Sequence, residues 1–298
     1  MTAGEKGFLL LSSHLGNPDR KPLTVPQLRT LGERVRNAER PDEDRDLDPG
    51  DLMELGYGRD MAERIVALLA DEELLRHYLR RGERAGCVAI SRLSGSYPGI
   101  LRHRLMADAP GCLWAKGDLG LLDTPMVALV GSRDLNERNR GFAEEVGYQA
   151  ARQGYTLVSG NARGADRTAQ NACLAAGGNV ISVVADELCR QTPERRMLYL
   201  SEDGFNEAFS AQRALGRNRV IHALGEKTLV AQCSYKTGGT WDGTVKNLRF
   251  GWSPVCCFDD GSRAVSLLCQ MGAEKVDKMQ LADFRRIGLR EQSLFVER

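Results

Sequence analysis

The sequence predicts an α/β fold: a doubly wound parallel sheet preceded by a small helical domain. Three observations carry that reading. From Met126 onward, short apolar runs alternate with helix-length amphipathic stretches, the signature of strand–helix–strand units. Two of those runs end in glycine-rich turns that each carry an arginine and each open a helix. The first 86 residues instead show helical spacing.

In chain order, Phe8–Ser13 is an apolar run ending in a helix-cap residue. Val25–Asn37 places Leu28, Leu31 and Val35 on one helix face. Glu39–Asp51 is charged and holds Pro41 and Pro49, so it reads as a loop. Leu52–Leu55 forms a short helix ending at Gly56 and Gly58. Arg59–Arg81 reads as one helix with a stripe of Met61, Ile65, Leu68, Leu69, Leu75 and Leu79, stopped by Gly82 and Gly86. These segments make an N-terminal helical domain, residues 1–86. Cys87–Ile90 and Cys112–Asp118 are strand-like. The main strands are expected at Met126–Val130, Thr156–Val158, Asn179–Val184, Thr228–Ala231 and Val255–Phe258. Helices are expected near Glu137–Arg152, Ala165–Ala176, Leu215–Leu224, Gly243–Phe250 and Ser262–Met271. The sheet domain then covers 87–276, and 277–298 is a tail, read either as a packed terminal helix or as loose chain.

The 298 residues carry 41 Lys+Arg against 40 Asp+Glu, a formal net charge of +1. That balance excludes a strongly basic nucleic-acid coat and leaves room for a local patch. Eight cysteines form no C-x-x-C pair and four histidines are scattered, which speaks against a zinc site or a disulfide framework. There is no signal-peptide pattern and no apolar run of membrane-spanning length. A cytoplasmic protein is therefore expected.

Gly131-Ser132-Arg133 follows a strand and precedes a helix. Free N–H groups at a helix start, joined by an arginine, favour an anion. The same residues also serve as an ordinary strand-to-helix turn, and the triplet is no G-x-G-x-x-G fingerprint, so no dinucleotide cofactor is expected. Ser159-Gly160-Asn161-Ala162-Arg163-Gly164-Ala165-Asp166 is richer. Ser159, Gly160, Arg163 and Gly164 suit an anion, with Asp166 either capping or holding Arg163. In Gly216-Arg217-Asn218-Arg219 the two arginines cannot easily share one side, and Asn218 is a polar anchor. Lys236-Thr237-Gly238-Gly239-Thr240 is a third glycine-rich loop, and Trp241 beyond it either stacks on a base or packs beneath the loop. No Ser–His–acid constellation appears; His222 lies in a helix pattern, and Glu202 and Glu207 are isolated carboxylates.

Taken in order, these motifs resemble the DprA/Smf family of DNA-processing proteins. The resemblance runs from Ser96-Tyr97-Pro98-x-x-Leu101 through Trp114-Ala115-Lys116-Gly117-Asp118, VALVGSR, LVSGNARGAD, Gly177-Gly178, Ser201-Glu202, GRNRVI and KTGGT, roughly residues 88 to 276. It implies an extended Rossmann-like domain that binds single-stranded DNA and usually dimerises. In transforming bacteria such proteins protect incoming strands and load the recombinase RecA. By position, the family's sites fall on Gly131, Ser132 and Arg133; on Ser159, Gly160, Arg163, Gly164 and Asp166; on Asn218 and Arg219; and on Lys236, Thr237 and Gly238. Asn161 stands where the family usually has leucine, Ala165 where it has isoleucine, and Asp259-Asp260-Gly261 where it has V-P-G. No winged-helix tail is expected.

The leading expectation is a non-enzymatic binder of single-stranded DNA, with a RecA-type recombinase and a second copy of the chain as partners. In that reading Arg133, Arg163, Arg219 and Lys236 neutralise successive phosphates. The alternative is a small-nucleotide site on the same edge, of the sensor or phosphoribohydrolase type. The hydrolase form expects P-G-G-x-G-T-x-x-E, and here Thr237 precedes the glycines with no glutamate at that spacing. A third reading is a scaffold whose turns only fold the sheet.

Overall fold

Val127 and Leu129 face one side of their strand, Ala128 and Val130 the other, and all four are buried. A strand covered on both faces belongs inside a layered sheet. The computed structural model, which describes residues 1–38 and 47–289, puts it there. Strands β1 (Val88–Ser91), β2 (Cys112–Gly117), β3 (Met126–Val130), β4 (Thr156–Ser159), β5 (Asn179–Val183), β6 (Met197–Ser201), β7 (Thr228–Val230), β8 (Val255–Phe258) and β9 (Glu274–Val276) form one sheet. Its order is β1-β2-β6-β5-β4-β3-β7-β8-β9. β1 and β2 run antiparallel at one edge, and all pairings from β6 to β9 are parallel. From β3 the chain steps outward through β4, β5 and β6, then returns beside β3 as β7 and proceeds the other way. The reversal between β3 and β7 is the topological switch point of a doubly wound sheet.

Two strands escape the sequence pattern. β6 is a five-residue buried run whose partners β2 and β5 lie far away in the chain. β9 has three residues with only Val276 fully buried, too few to show a period.

The helices are α1 (Ala3–Ser12), α2 (Val25–Asn37), α3 (Pro49–Glu54), α4 (Arg59–Ala70), α5 (Glu72–Arg84), α6 (Gly99–Leu105), α7 (Glu137–Arg152), α8 (Ala165–Ala175), α9 (Ala211–Gly216), α10 (Asn218–Leu224), α11 (Gly238–Phe250) and α12 (Arg263–Gln270). Helices α7 and α8 cover the face of Val127 and Leu129, while α6, α10 and α12 cover the opposite face. α7 and α8 approach so closely that a Cβ on Gly147 would lie 2.1 Å from the Ala169 carbonyl oxygen.

Several boundaries differ from the sequence reading, each for a local reason. The single helix expected over Arg59–Arg81 is two, broken at Asp71, whose carboxylate accepts from Arg20 Nε at 2.9 Å. Pro49, expected in a loop, opens α3 behind the capping Asp48, where its missing N–H costs nothing. Gly82 does not stop α5 but lies within it, because the Trp114 ring leaves no room for a Cβ there. Leu215–Leu224 divides into α9 and α10 around Arg217, and α11 begins at Gly238, earlier than Gly243.

The N-terminal helices join the sheet's core through Tyr78, which meets Trp114 edge-on at 5.2 Å and Phe205 at 4.9 Å. Of the segment expected as a tail, Leu281, Phe284 and Ile287 are buried, and the ammonium of buried Lys227 donates to the Phe284 and Ile287 carbonyls. Residues 290–298 of that tail, and 39–46 of the charged loop, lie outside the described residues.

Candidate functional site

Three turns leave the carboxyl ends of β3, β4 and β7 and enclose a cleft of about 440 Å³ at the switch point. Its walls are Gly131–Asp134 after β3, Ala162 and Asp166 after β4, Gln232, Ser234 and Thr237–Thr240 after β7, and Ala211, Ala214, Leu215, Arg217 and Asn218 from the α9–α10 junction.

Glycine permits the turns to touch. A Cβ on Gly164 would lie 2.3 Å from the Arg133 carbonyl oxygen, and its φ of +85° is one that L side chains avoid. A Cβ on Gly131 would lie 2.4 Å from that of Ala165. Asn161 holds a positive φ of 59°, a conformation that asparagine adopts more readily than most side chains. Asp166 is architectural: its carboxylate accepts from the N–H groups of Gly160 at 3.1 Å and Ala162 at 3.2 Å, shaping the β4 turn. Burial pushes its pKa up, opposed by nearby Arg217 and those two N–H donors.

The expected site residues divide. Gly131, Ser132, Arg133, Asp166, Asn218, Thr237 and Gly238 line the cleft. Asn218 also ties two walls together, donating from Nδ2 to the Gly239 carbonyl at 3.1 Å. Ser159 does not reach it: the hydroxyl is fully buried and accepts from Gln170 Nε2 at 2.6 Å. Arg163 stands at the surface, its side chain 76% exposed, and bonds Asp134 at 2.7 Å. Arg219 turns away from the cleft to Glu202 at 2.5 Å, with further bonds to the Asp108 and Gly216 carbonyls. Lys236 is exposed, with a positive φ of 55° and its ammonium over the Tyr235 ring. Trp241 is half-buried and packs on the core beside Tyr235, in keeping with the packing alternative.

The residue that sequence reasoning missed is Arg217. Its guanidinium lies against Gly160, so that a Cβ there would fall 1.5 Å from Nη1. Gly160 is absent from the positive-φ glycines, so space and not conformation demands it. Arg217 is 7% exposed, and its Nε has no hydrogen-bond partner. Asp166 is its main favourable charge neighbour. The kink between α9 and α10 puts Arg217 in the cleft wall and sends Arg219 to Glu202; the spacing of the two arginines signals opposite sides but not which side is the cleft.

Beside the α9–α10 junction, α11 opens into the cleft. Thr237 makes no side-chain cap, so the first N–H groups of a 13-residue helix and its dipole face the void. Two arginines and a helix start make a site suited to an anion.

Glu202, His222 and the buried thiols lie away from the cleft lining and are engaged elsewhere. Burial raises Glu202 to about 7, with Arg219 opposing the shift. His222 is fully buried and lowered to about 3, and it meets Thr228 and Asn247. Burial pushes the thiols of Cys112, Cys173, Cys233 and Cys256 up to about 12. Among the described residues no cluster of His, Cys, Asp or Glu is arranged to hold a metal ion.

Residues 89–281 match the family model for DNA recombination-mediator protein A. The chain is 34% identical over 211 residues to DNA processing protein DprA of Streptococcus pneumoniae, covering 66% of this chain and 74% of that one. It is 28% identical over 197 residues to DprA of Bacillus subtilis, covering 61% and 66%. The crystal structure of S. pneumoniae DNA processing protein A superposes with a TM-score of 0.71 at 26% identity, covering 94% of this chain and 97% of that one. A DNA processing protein A from Helicobacter pylori, described for its single-stranded DNA binding mode, shares the fold at a TM-score of 0.55 and 21% identity, covering 66% and 94%.

Proposed function

The chain belongs to the DNA recombination-mediator protein A family, the DprA/Smf proteins, and on that premise we propose that it binds single-stranded DNA at the switch-point cleft. It acts there as a binder in DNA processing and recombination. The observation that carries the reading is the convergence of Arg133, Arg217 and the uncapped start of α11 on one cleft at the carboxyl edge of the sheet. Phosphates are neutralised by the arginines, and glycine turns let the backbone of the strand lie close. Fluorescence anisotropy with a labelled oligothymidylate tests this: binding at low salt that weakens as salt rises is expected. No binding at low salt removes the reading.

Kinship further supports a RecA-type recombinase and a second copy of the chain as partners. Light scattering and a pull-down with purified recombinase test them separately. Among the described residues no helix is long and apolar enough to cross a membrane, and the reading places the protein in the cytoplasm. A binding role without catalysis fits the burial of His222 and the pairing of Glu202.

A second reading, a small-nucleotide sensor, draws on the cleft volume of about 440 Å³, a size usual for small-molecule sites. Mass spectrometry of ligand released from purified protein separates the two; a stoichiometric mononucleotide favours the sensor.

A further inference from the structure

Away from the cleft, one helix carries a concentrated positive face. After its first turn, α5 reads Arg76-His77-Tyr78-Leu79-Arg80-Arg81-Gly82-Glu83-Arg84, four arginines and a histidine against one carboxylate. One side of the helix is buried: Leu75, Tyr78 and Gly82 face the core, where the rings of Tyr78, Trp114 and Phe205 meet in pairs at 4.9–5.2 Å. The other side presents Arg76, Arg80 and Arg84, all exposed. Their four-residue spacing keeps them on one face, about 6 Å apart along the helix axis. None of the three has a hydrogen bond or an ion pair among the described residues. The acids Glu72 and Glu73 gather in the first turn, where the helix dipole favours them.

We infer that this face of α5 is a second docking surface, and that its occupant is the phosphate backbone of duplex DNA. Three aligned guanidinium groups without a carboxylate partner suit a row of anions. A stripe about 12 Å long spans about three or four phosphates of one duplex strand, which recur every 3.4 Å or so of axis. The composition of the face selects duplex over single strand. Sites for a flexible strand set aromatic rings among their cations, and stacking offsets the cost of ordering the chain. On α5 the one tyrosine is buried, and the neighbouring Phe205 ring lies buried beneath Arg81. A duplex backbone is already ordered, so phosphate contacts suffice, and they are indifferent to sequence. The helix is convex and fixed to the sheet by its aromatic cluster, so it meets a rigid partner without rearranging. None of its arginines lines the switch-point cleft, so the assignment stands apart from the single-stranded DNA reading and adds a second ligand to it.

The experiment uses the full chain, the triple variant Arg76→Gln/Arg80→Gln/Arg84→Gln and its counterpart Arg76→Lys/Arg80→Lys/Arg84→Lys. Anisotropy is read with a labelled blunt duplex and, separately, with a labelled oligothymidylate, alongside thermal unfolding. The parent is expected to bind the duplex at low salt. The glutamine variant should lose about tenfold or more of that affinity, and its slope of log affinity against log salt should flatten by about 2.7, the share of three duplex phosphates. The lysine variant should stay within about threefold of the parent, since a backbone phosphate accepts either cation. Oligothymidylate affinity and unfolding temperature should match the parent's in both variants, because the three side chains are exposed and outside the cleft. Unlabelled oligothymidylate should leave the duplex bound. A parent that binds no duplex at low salt overturns the assignment, and so does full duplex affinity in the glutamine variant. Displacement of the duplex by oligothymidylate, or an equal loss of strand affinity in the glutamine variant, overturns the choice of duplex. A parent that binds duplex but no oligothymidylate sinks the cleft reading and leaves this one standing.

Discussion

Arg20 in the helical region and Arg217 at the sheet edge are buried to the same degree, each 7% exposed, yet their surroundings are opposite. Arg20 bonds the Asp71 carboxylate at 2.9 Å, the Ser13 carbonyl at 2.5 Å, the Leu10 carbonyl at 2.6 Å and the Leu68 carbonyl at 3.0 Å. It staples α1, the following loop and α4 together. Arg217 lies over a glycine with its Nε unpartnered and an acid nearby as its main compensation. Burial alone therefore says little about what an arginine does. A satisfied guanidinium is part of the scaffold, and an unsatisfied one in a cleft wall is available to a ligand. His222 shows a third solution: fully buried, lowered to about 3, it stays neutral and avoids the charge altogether.

The contrast predicts the largest stability loss at the satisfied arginine. Arg20→Met leaves three carbonyls, two of them in buried bonds, and Asp71 without their donor, and chemical denaturation should show a loss of about 3–5 kcal/mol. Strand binding at temperatures where this variant is folded should match the parent. A loss below about 1 kcal/mol would erase the distinction between the two arginines.

Gly160→Ala attacks the other side without altering any charge. Its Cβ displaces the Arg217 guanidinium. Overpacking of this kind costs about 1–3 kcal/mol, and strand affinity should fall as the guanidinium is displaced. Full affinity in this variant would show that the guanidinium need not rest where it does.

His222 sharpens the comparison through pH. A base whose folded pKa is lowered binds fewer protons folded than unfolded, so its stabilisation is complete above the unfolded value of 6.5 and is lost as pH falls toward about 3. Urea midpoints should drop between neutral pH and the acid side of that window. His222→Gln should be less stable at neutral pH, with a smaller drop. An equal drop in both proteins would assign the acid sensitivity elsewhere.

The smallest effect belongs to the rim. Arg163 and Asp134 are largely exposed, and such pairs contribute about 0–1 kcal/mol. Arg163→Ala should leave the unfolding midpoint nearly unchanged and weaken strand binding modestly, most visibly at low salt. A loss deeper than about tenfold would place the main phosphate contact at the rim and not at Arg217 in the cleft wall.

Much of the architecture is legible in local sequence. The runs at Val127–Val130 and Leu157–Val158 are apolar enough to be strands whatever their neighbours, and Gly131 and Gly164 mark the turns after them, as Gly238 does after Thr228–Val230. Motif order carries the family resemblance, since each motif alone is an ordinary turn. What stays hidden depends on distant partners. Helix periodicity runs smoothly through Asp71, and only the approach of Arg20 from α1's loop explains the break there. Ser159 looks like a phosphate ligand until Gln170, eleven residues on, takes its hydroxyl inward. Trp241 has the composition of a stacking platform, but Tyr235 and the core claim its ring.

The sequence by itself determined the doubly wound sheet, the edge on which its glycine turns gather, and the family, because apolar period and turn chemistry are properties of contiguous residues. Only the tertiary structure decided which arginine serves that edge. Arg217 and Arg219 are two positions apart and chemically identical; what separates them is that Glu202 lies beside one and Gly160 beneath the other. Charges are assigned their roles by neighbours brought in from elsewhere in the chain.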